Sequence, residues 1–253
     1  MINIAKKAAI SAGKILVENF DKFKEVQEKE GGLKNLVSHV DFLSEEKIIK
    51  ILKKHFPSHG ILAEESGTHE NQSDFTWVID PLDGTSNYLQ GIPHFAISIA
   101  LVEKSQPILG VVYDPIKNEM FWVEEGKKAY LNDKPIYVSK VKEIQKAFAN
   151  VGWTHKEEKS GLSTFSKMGR ISRKIRALGS AALDFCYLAN ARYDLVISHG
   201  LNFWDVAAAS LIAQQAGAVV LDENSEKIQL NKPFTRIIAA NKNLYKEIIK
   251  LKI

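Results

Sequence analysis

The sequence predicts a mixed α/β fold, and three features in chain order carry that prediction. Residues 1–56 hold two apolar stripes at helical spacing. The stretch that follows is cut into short apolar runs by Gly, Pro, Asn and Asp. Beyond Val138 the chain alternates strand-like and helix-like segments.

In the first segment, Ile4, Ala8, Ile10, Ala12, Ile15, Leu16 and Phe20 recur near the helical period while Lys6, Lys7, Lys14 and Glu18 fall mostly elsewhere, which predicts an amphipathic helix. Glu25–Asn35 is charged, contains Gly31-Gly32 and has no period, so it reads as a mobile loop or loose hairpin. Ser38 followed by Asp41 marks a second helix, over about Asp41–Phe56. Its stripe is Leu43, Ile48, Ile51 and Leu52, and Pro57 stops it. Strands are expected over Ile61–Ala63, Trp77–Ile79, Phe95–Val102, Ile108–Tyr113 and Met120–Val123. Runs this continuous predict a sheet covered on both faces, with the two leading helices as one cover. The later part reads as a strand Phe148–Gly152, a helix Ser180–Asn190, a strand Leu195–Ser198, and a helix Asp205–Ala216 capped by Gly217. A strand Ala218–Asp222, a strand Ile237–Ala240 and a helix Leu244–Leu251 complete it. The seam at Val138–Gln145 places a boundary near Ile144, between an N-terminal unit 1–144 and a C-terminal unit 145–253.

With 45% hydrophobic and 25% charged residues, the chain has the composition of an ordinary globular protein. A net charge of +4 is too small to argue for nucleic acid or membrane as a partner, and it permits anionic substrates. The single cysteine, Cys186, excludes an internal disulfide and a Cys-rich metal site, which suits a reducing compartment. Charge enters at Lys6-Lys7, too early for a secretory core. No apolar run reaches the roughly 20 residues of a membrane span, so a cytoplasmic protein is expected. The histidines lack metal-ligand spacing, and no nucleophile elbow, Walker loop or dinucleotide fingerprint occurs.

Three acidic patches lie where strands end or helices begin: Glu64-Glu65, Asp80-Pro81-Leu82-Asp83-Gly84-Thr85 and Trp204-Asp205. Adjacent glutamates are commonly a solvated face and an Asp before a helix is commonly a cap, so no patch is persuasive alone. The second is harder to explain that way. Pro81 holds Asp80 extended, so Asp80 and Asp83 are expected to flank a tight turn with the Leu82 carbonyl facing the same point. Gly84 allows close backbone approach, and the amides from Thr85 onward are placed to hold a phosphate. Carboxylates plus a carbonyl, without Cys or clustered His, suit Mg²⁺ better than zinc.

Taken together, Ile79–Asn87, Ala63-Glu64-Glu65-Ser66, Trp204–Ala208, Gly179–Ala182 and Gly110–Pro115 resemble the signature regions of the inositol monophosphatase family, and the resemblance covers nearly the whole chain. It implies a layered α/β/α/β/α sandwich of the sugar-phosphatase type, forming a homodimer. It further implies a lithium-sensitive Mg²⁺-dependent phosphomonoesterase that hydrolyses inositol monophosphate, and also fructose 1,6-bisphosphate, by attack of metal-activated water. By carry-over, Glu64, Asp80 and the Leu82 carbonyl hold one Mg²⁺, and Asp80, Asp83 and Asp205 hold a second. Glu65 helps to position a third, weaker ion or its waters. Asp41 and Thr85 orient the attacking water, and the amides of Gly84 and Thr85 take the phosphate. Gly179, Ser180, Ala181, Ser198 and Asp205, with Asp83, are the remaining expected substrate contacts.

Two departures from the family pattern bear on substrate. The loop lysine that the family carries before Asp41 falls at Glu30, between Lys29 and Lys34. Ser198 stands where members specialised for inositol phosphate carry a glutamate. The basic cluster Arg170, Arg173, Lys174 and Arg176 is either a solvated face or a source of one arginine, Arg176 or Arg170, for a second phosphate. The alternatives to the main reading are a nucleotide bisphosphatase, and a regulatory family member that uses this cluster to bind RNA or protein.

Overall fold

The computed structural model describes residues 1–20, 26–28, 36–69, 73–228 and 233–251. Two helices lead, α1 (Ile2–Asn19) and α2 (His39–His55), with a short antiparallel pair between them, β1 (Val26–Glu28) and β2 (Leu36–Ser38). That pair matches the hairpin alternative for Glu25–Asn35. The rest of that segment, with Lys29, Glu30, Gly31-Gly32 and Lys34, lies outside the described residues. Next come β3 (Gly60–Ala63), β4 (Gly67–His69), β5 (Phe75–Asp83), α3 (Thr85–Leu89), β6 (Ala96–Glu103), β7 (Gln106–Asp114), β8 (Glu119–Glu124), β9 (Tyr130–Leu131) and β10 (Lys134–Pro135). The second half contains β11 (Phe148–Trp153), α4 (Glu158–Ile171), β12 (Lys174–Arg176), α5 (Ala181–Ala189) and β13 (Leu195–Leu201). It ends with α6 (Phe203–Gln215), β14 (Ala218–Asp222), β15 (Phe234–Asn241) and α7 (Lys242–Lys250).

Among the described residues, eight strands form one sheet in the order β10-β9-β8-β7-β6-β5-β3-β4, and five form a second in the order β12-β11-β13-β15-β14. Helices α1 and α2 cover the outer face of the first sheet, α5 and α6 lie between the sheets, and α4 and α7 cover the outer face of the second. The layering is therefore α/β/α/β/α, the expected sandwich. Strand alternation explains the continuous apolar runs. Along β6, Ile97, Ile99 and Leu101 enter the core under α1 while Ala96, Ala100 and Val102 enter the core between the sheets. Along β13, Val196 faces that central core, and Leu195 and Ile197 face a third core under α4 and α7.

Helix–sheet approach is set by small residues. A Cβ added to Gly110 on β7 would stand 2.7 Å from the Ala208 carbonyl oxygen of α6, so α6 packs there on bare backbone. Helix α4 was not foreseen in the sequence. Its inner face sets Phe165, Met168 and Ile171 against the third core, with Gly161 and Thr164 buried beside them, a helical spacing that was present in the sequence and passed over.

One local expectation is corrected. Asp80 and Asp83 do not flank a tight turn; both lie in β5, which bulges between them. Asp80 pairs with Ser98 and Asp83 with Ala96, so β5 carries one extra residue against β6. Two local features make this possible. Pro81 has no N–H to offer the ladder, and the Leu82 N–H is taken by Asp80 Oδ1 at 3.0 Å.

Candidate active site

Residues three apart on a regular strand point to opposite faces. The bulge cancels that odd spacing and brings Asp80 and Asp83 into mutual electrostatic range at the end of β5. Parallel to β5 runs β3, and the Glu64 N–H just beyond it donates to the Ile79 carbonyl at 3.2 Å, which puts Glu64 beside the same spot. Helix α2 completes this wall. Ser44 Oγ donates to the Pro81 carbonyl at 2.9 Å, and Asp41, buried one turn earlier on the same helix face, lies toward the bulge. Glu45, also buried, accepts the Glu65 N–H at 2.9 Å and the Ser66 N–H at 2.8 Å, and so fixes the turn that carries Glu64 and Glu65.

The opposite wall comes from helices between the sheets. Asp83 accepts hydrogen bonds from Ser180 Oγ, from the Ala181 N–H at 3.1 Å and from the Ala182 N–H at 2.8 Å, so its carboxylate sits on the N-terminus of α5. The Ser180 hydroxyl and the Ala181 amide, expected at the substrate, are thus committed to Asp83. Asp205 lies in the first turn of α6, where its Oδ2 accepts the Asn202 N–H at 2.7 Å. Gly84 has a φ of 99°. A Cβ there would lie 3.0 Å from the His94 carbonyl oxygen and 3.3 Å from that of Gly179, so a side chain at this position is excluded twice over. The Leu82 carbonyl accepts the Thr85 hydroxyl at 2.9 Å and keeps its second lone pair.

Asp80 and Asp83 are buried and Glu64 and Asp205 half-buried beside them, and their acidities record it. Asp80 is pushed well above the usual carboxylate range, first by burial and then by the charges of Glu64, Asp83 and Asp205, against the Leu82 N–H bond. Asp205 is raised by burial, then by Glu64, with the Asn202 N–H opposing and Asp83 adding to the rise. Asp83 is raised by burial to about 6, although Ser180 and the α5 amides favour its ionised form. Two carboxylates ~4 Å apart repel by about 4 kcal/mol at an effective dielectric near 20, so such a cluster stays charged only when cations or protons offset it. Among the described residues, no three His, Cys, Asp or Glu side chains have closed around a single point. Asp80, Asp83 and Asp205 are each oriented by backbone N–H donors. The donors are hard oxygens throughout and suit a hard divalent cation.

Two connected chambers open onto the cluster. The inner one, about 180 Å³, is lined by Asp83, Asp205, Gly179, Ser180, Ala181 and Ser198 among others, which places these expected residues on one surface. The outer one, about 370 Å³, is lined by Glu64 and Asp205 and by His155 and Lys156, and it shares Thr154 and Asp205 with the inner chamber. Arg176 is not brought to either. It is exposed on the edge strand β12, 5.2 Å over the Phe148 ring, with Nη1 donating to the Ile175 carbonyl at 2.8 Å. Arg170, also exposed, ends α4. Thr154, His155, Lys156, Glu45 and Asp184 were missed in the sequence. Each is an isolated polar residue outside any motif, and only the end of β11, the buried face of α2 or the first turns of α5 aim them at the cleft.

Comparison with known proteins follows the same lines. The model of the inositol monophosphatase family matches residues 1–252. The Nus factor SuhB of Haemophilus influenzae is 39% identical over 98% of this chain and 94% of its own length. The fructose-1,6-bisphosphatase/inositol-1-monophosphatase of Aquifex aeolicus is 35% identical over 99% of this chain and 94% of its own. The crystal structure of the extragenic suppressor protein suhB from Bartonella henselae superposes with a TM-score of 0.92 at 33% identity, over 98% of this chain and 96% of that one. With the fold, the acidic cleft and the sequence in agreement, the chain belongs to the inositol monophosphatase family.

Proposed function

We propose that this protein is a Mg²⁺-dependent phosphomonoesterase that hydrolyses inositol monophosphate, and also fructose 1,6-bisphosphate, through attack of an activated water. The observation that carries this is the convergence of Glu64, Asp80, Asp83 and Asp205, from the end of β3, from β5 and from α6, so close that the charges of the other three add to burial in pushing the Asp80 carboxyl well above its usual range. The name of the Aquifex relative supports the substrate class.

Glu64, Asp80 and the Leu82 carbonyl would hold one Mg²⁺, Asp80, Asp83 and Asp205 a second, and Glu65 a weaker third. When bound, the ions supply Lewis-acid activation of water and neutralise phosphate charge. The chain's own groups do the positioning. Thr85 donates its hydroxyl proton to Leu82, so its oxygen is left to accept from the attacking water, which Asp41 helps to orient. Gly84 and Thr85 offer their amides to the phosphate. Ser180 and the α5 amides lock Asp83 in one orientation.

The test is phosphate release from inositol monophosphate, fructose 1,6-bisphosphate and a nucleotide bisphosphate, each with and without Mg²⁺, with lithium as inhibitor. Release from the first two only, dependent on Mg²⁺, is the expected result. Preference for the nucleotide would move the protein to the bisphosphate-nucleotidase branch.

The pH dependence has a definite sign. Asp83, raised to about 6, is ionised and able to bind a cation only above that pH. Stabilisation by Mg²⁺ is therefore present at neutral and alkaline pH and is lost as pH falls through about 6, where protons displace the ion. Thermal melts with and without Mg²⁺ across that range should show the Mg²⁺-induced rise in Tm shrinking to near zero on the acid side. A rise that does not vary with pH would contradict it.

For a bisphosphate, the outer chamber supplies the cation that Arg176 does not. Lys156→Ala is expected to raise KM for fructose 1,6-bisphosphate by about tenfold, the loss of one charge-assisted contact, while Arg176→Ala changes it little. Steady-state kinetics of the two variants decides between the positions.

A regulatory role has one specific support besides the name of the Haemophilus relative. The edge strand β12 and the end of α4 display Arg170, Arg173, Lys174 and Arg176 together on the surface. RNA binding with a steep salt dependence, in a protein that releases no phosphate in Mg²⁺, would favour that role over catalysis.

A further inference from the structure

The inner chamber has a polar floor to which the catalytic reading gives no task. Asp184 and Ser198 line it, Asn150 stands beside Asp184, and these side chains are 2%, 1% and 0% exposed. Among the described residues, Asp184 Oδ1, Ser198 Oγ and both amide atoms of Asn150 have no hydrogen-bond partner, nor does Thr154 Oγ1 at the chamber's mouth. Burial first, and then the charge of Asp83, push the Asp184 carboxyl well above its usual range; Asn150 is near enough to oppose this, yet neither amide atom reaches hydrogen-bonding geometry. Buried polar groups are nearly always paired, and a cluster of them on one cavity wall marks a surface built to meet polar atoms from outside the chain.

The placement follows from the second sheet. β11 and β13 run parallel with Gly152 opposite Ser198, and α5 crosses above them carrying Asp184 one turn after Ser180. Because residue 152 is glycine, the space between the two side chains is open. A Cβ added there would stand 3.4 Å from Ser198 Oγ and 3.7 Å from Asp184 Oδ2. The chemistry of the wall restricts what enters. Among the described residues no Lys, Arg or His lines the inner chamber, whereas Asp83, Asp184 and Asp205 all do. A phosphate would meet only acidic groups and hydroxyls, but a neutral hydroxyl both donates and accepts and can satisfy a carboxylate, a serine and a threonine at once.

We propose that Asp184, acting with Ser198, is a specificity-determining residue that binds hydroxyl groups of the substrate's leaving alcohol and excludes a second phosphate from the inner chamber. The inference rests on the phosphomonoesterase reading and names which part of the substrate lies where: the polyol ring goes inward, and any second phosphate goes outward toward His155 and Lys156. It also accounts for a serine at 198, since the acidic partner for substrate hydroxyls is supplied from α5 instead.

The test compares two esters in the presence of Mg²⁺: inositol monophosphate, whose leaving group is rich in hydroxyls, and p-nitrophenyl phosphate, whose leaving group has none. Asp184→Ala and Gly152→Ala are each expected to lower kcat/KM for inositol monophosphate by about tenfold or more, the usual effect of leaving a site's polar groups unpaired or filled. Both should keep p-nitrophenyl phosphate hydrolysis within about twofold. Asp184→Asn, which restores a donor and an acceptor, should recover most of the loss on inositol monophosphate. Gly152→Ala keeps the comparison valid if Asp184→Ala does not fold, because its new contacts lie at ordinary van der Waals distance. Equal losses on both esters, or no loss on inositol monophosphate, would overturn the assignment and leave the phosphatase reading standing. A wild-type protein that hydrolyses neither ester would remove both.

Discussion

Asp83→Asn is expected to reduce Mg²⁺-dependent phosphate release by about a thousandfold or more and to lower Tm by several degrees. Loss of groups that merely orient metal ligands commonly costs 10- to 100-fold, and a residue proposed as a direct ligand should cost more. The thermal effect comes from the other side of the same carboxylate. Asp83 accepts from Ser180 Oγ and from the amides of Ala181 and Ala182, so its oxygens receive donors only. Asparagine keeps the shape but turns an NH₂ toward one of those donors, which leaves buried groups unsatisfied at about 1–3 kcal/mol. For a chain of this length, each kcal/mol corresponds to roughly 2–4 °C. The α5 contacts therefore predict a folded but less stable variant. Phosphate-release assays and thermal melts check the two parts separately, and near wild-type turnover would end the metal-ligand reading of Asp83.

Gly110→Ala is expected to destabilise the protein by about 1–3 kcal/mol, as overpacking does, although Gly110 is remote in sequence from every acidic residue of the cleft. The added Cβ would meet the Ala208 carbonyl oxygen at 2.7 Å and Ala208 Cα at 3.0 Å. Both are backbone atoms, so no side-chain rotation relieves the clash and α6 must move off the sheet. Asp205 rides in the first turn of that helix. Misplacement of reacting groups by about 1 Å can cost on the order of a hundredfold, so the Mg²⁺ concentration for half-maximal activity should rise by about tenfold or more. Melting curves and a Mg²⁺ titration of activity measure the two effects. An unchanged Tm would show that the contact between β7 and α6 is looser than these distances require.

The parts of the molecule most legible in the sequence are those whose information is local. The leading helices, the runs now seen as β5, β6, β7 and β8, and the cap at Gly217 with its φ of 100° all announce themselves by period or by backbone chemistry. The acidic patches were visible for the same reason, because a Pro, a Gly and two aspartates within six positions leave few backbone paths. Helix α4 was overlooked although Phe165, Met168 and Ile171 recur three residues apart and pack on the third core. The bulge in β5 was misread as a turn because Pro81 is compatible with both, and only pairing with β6 selects one.

Sequence by itself determined the composition of the cleft: hard oxygen donors, no thiol or clustered imidazole, and glycine where side chains cannot fit. It also determined the layering, because strands apolar on both faces must be covered on both. Tertiary structure decided how those donors are held and what else joins them. Asp83 is bound by an α5 amide 98 positions on, at Ala181, and Glu45 secures the turn of Glu65 from 20 positions before it. Arg176 is turned away onto Phe148, while Lys156 and Asp184 are turned in. Hydrogen bonds and electrostatic fields act through space over a few ångströms, and proximity of that kind is set by sheet pairing and helix packing, which no spacing along the chain encodes.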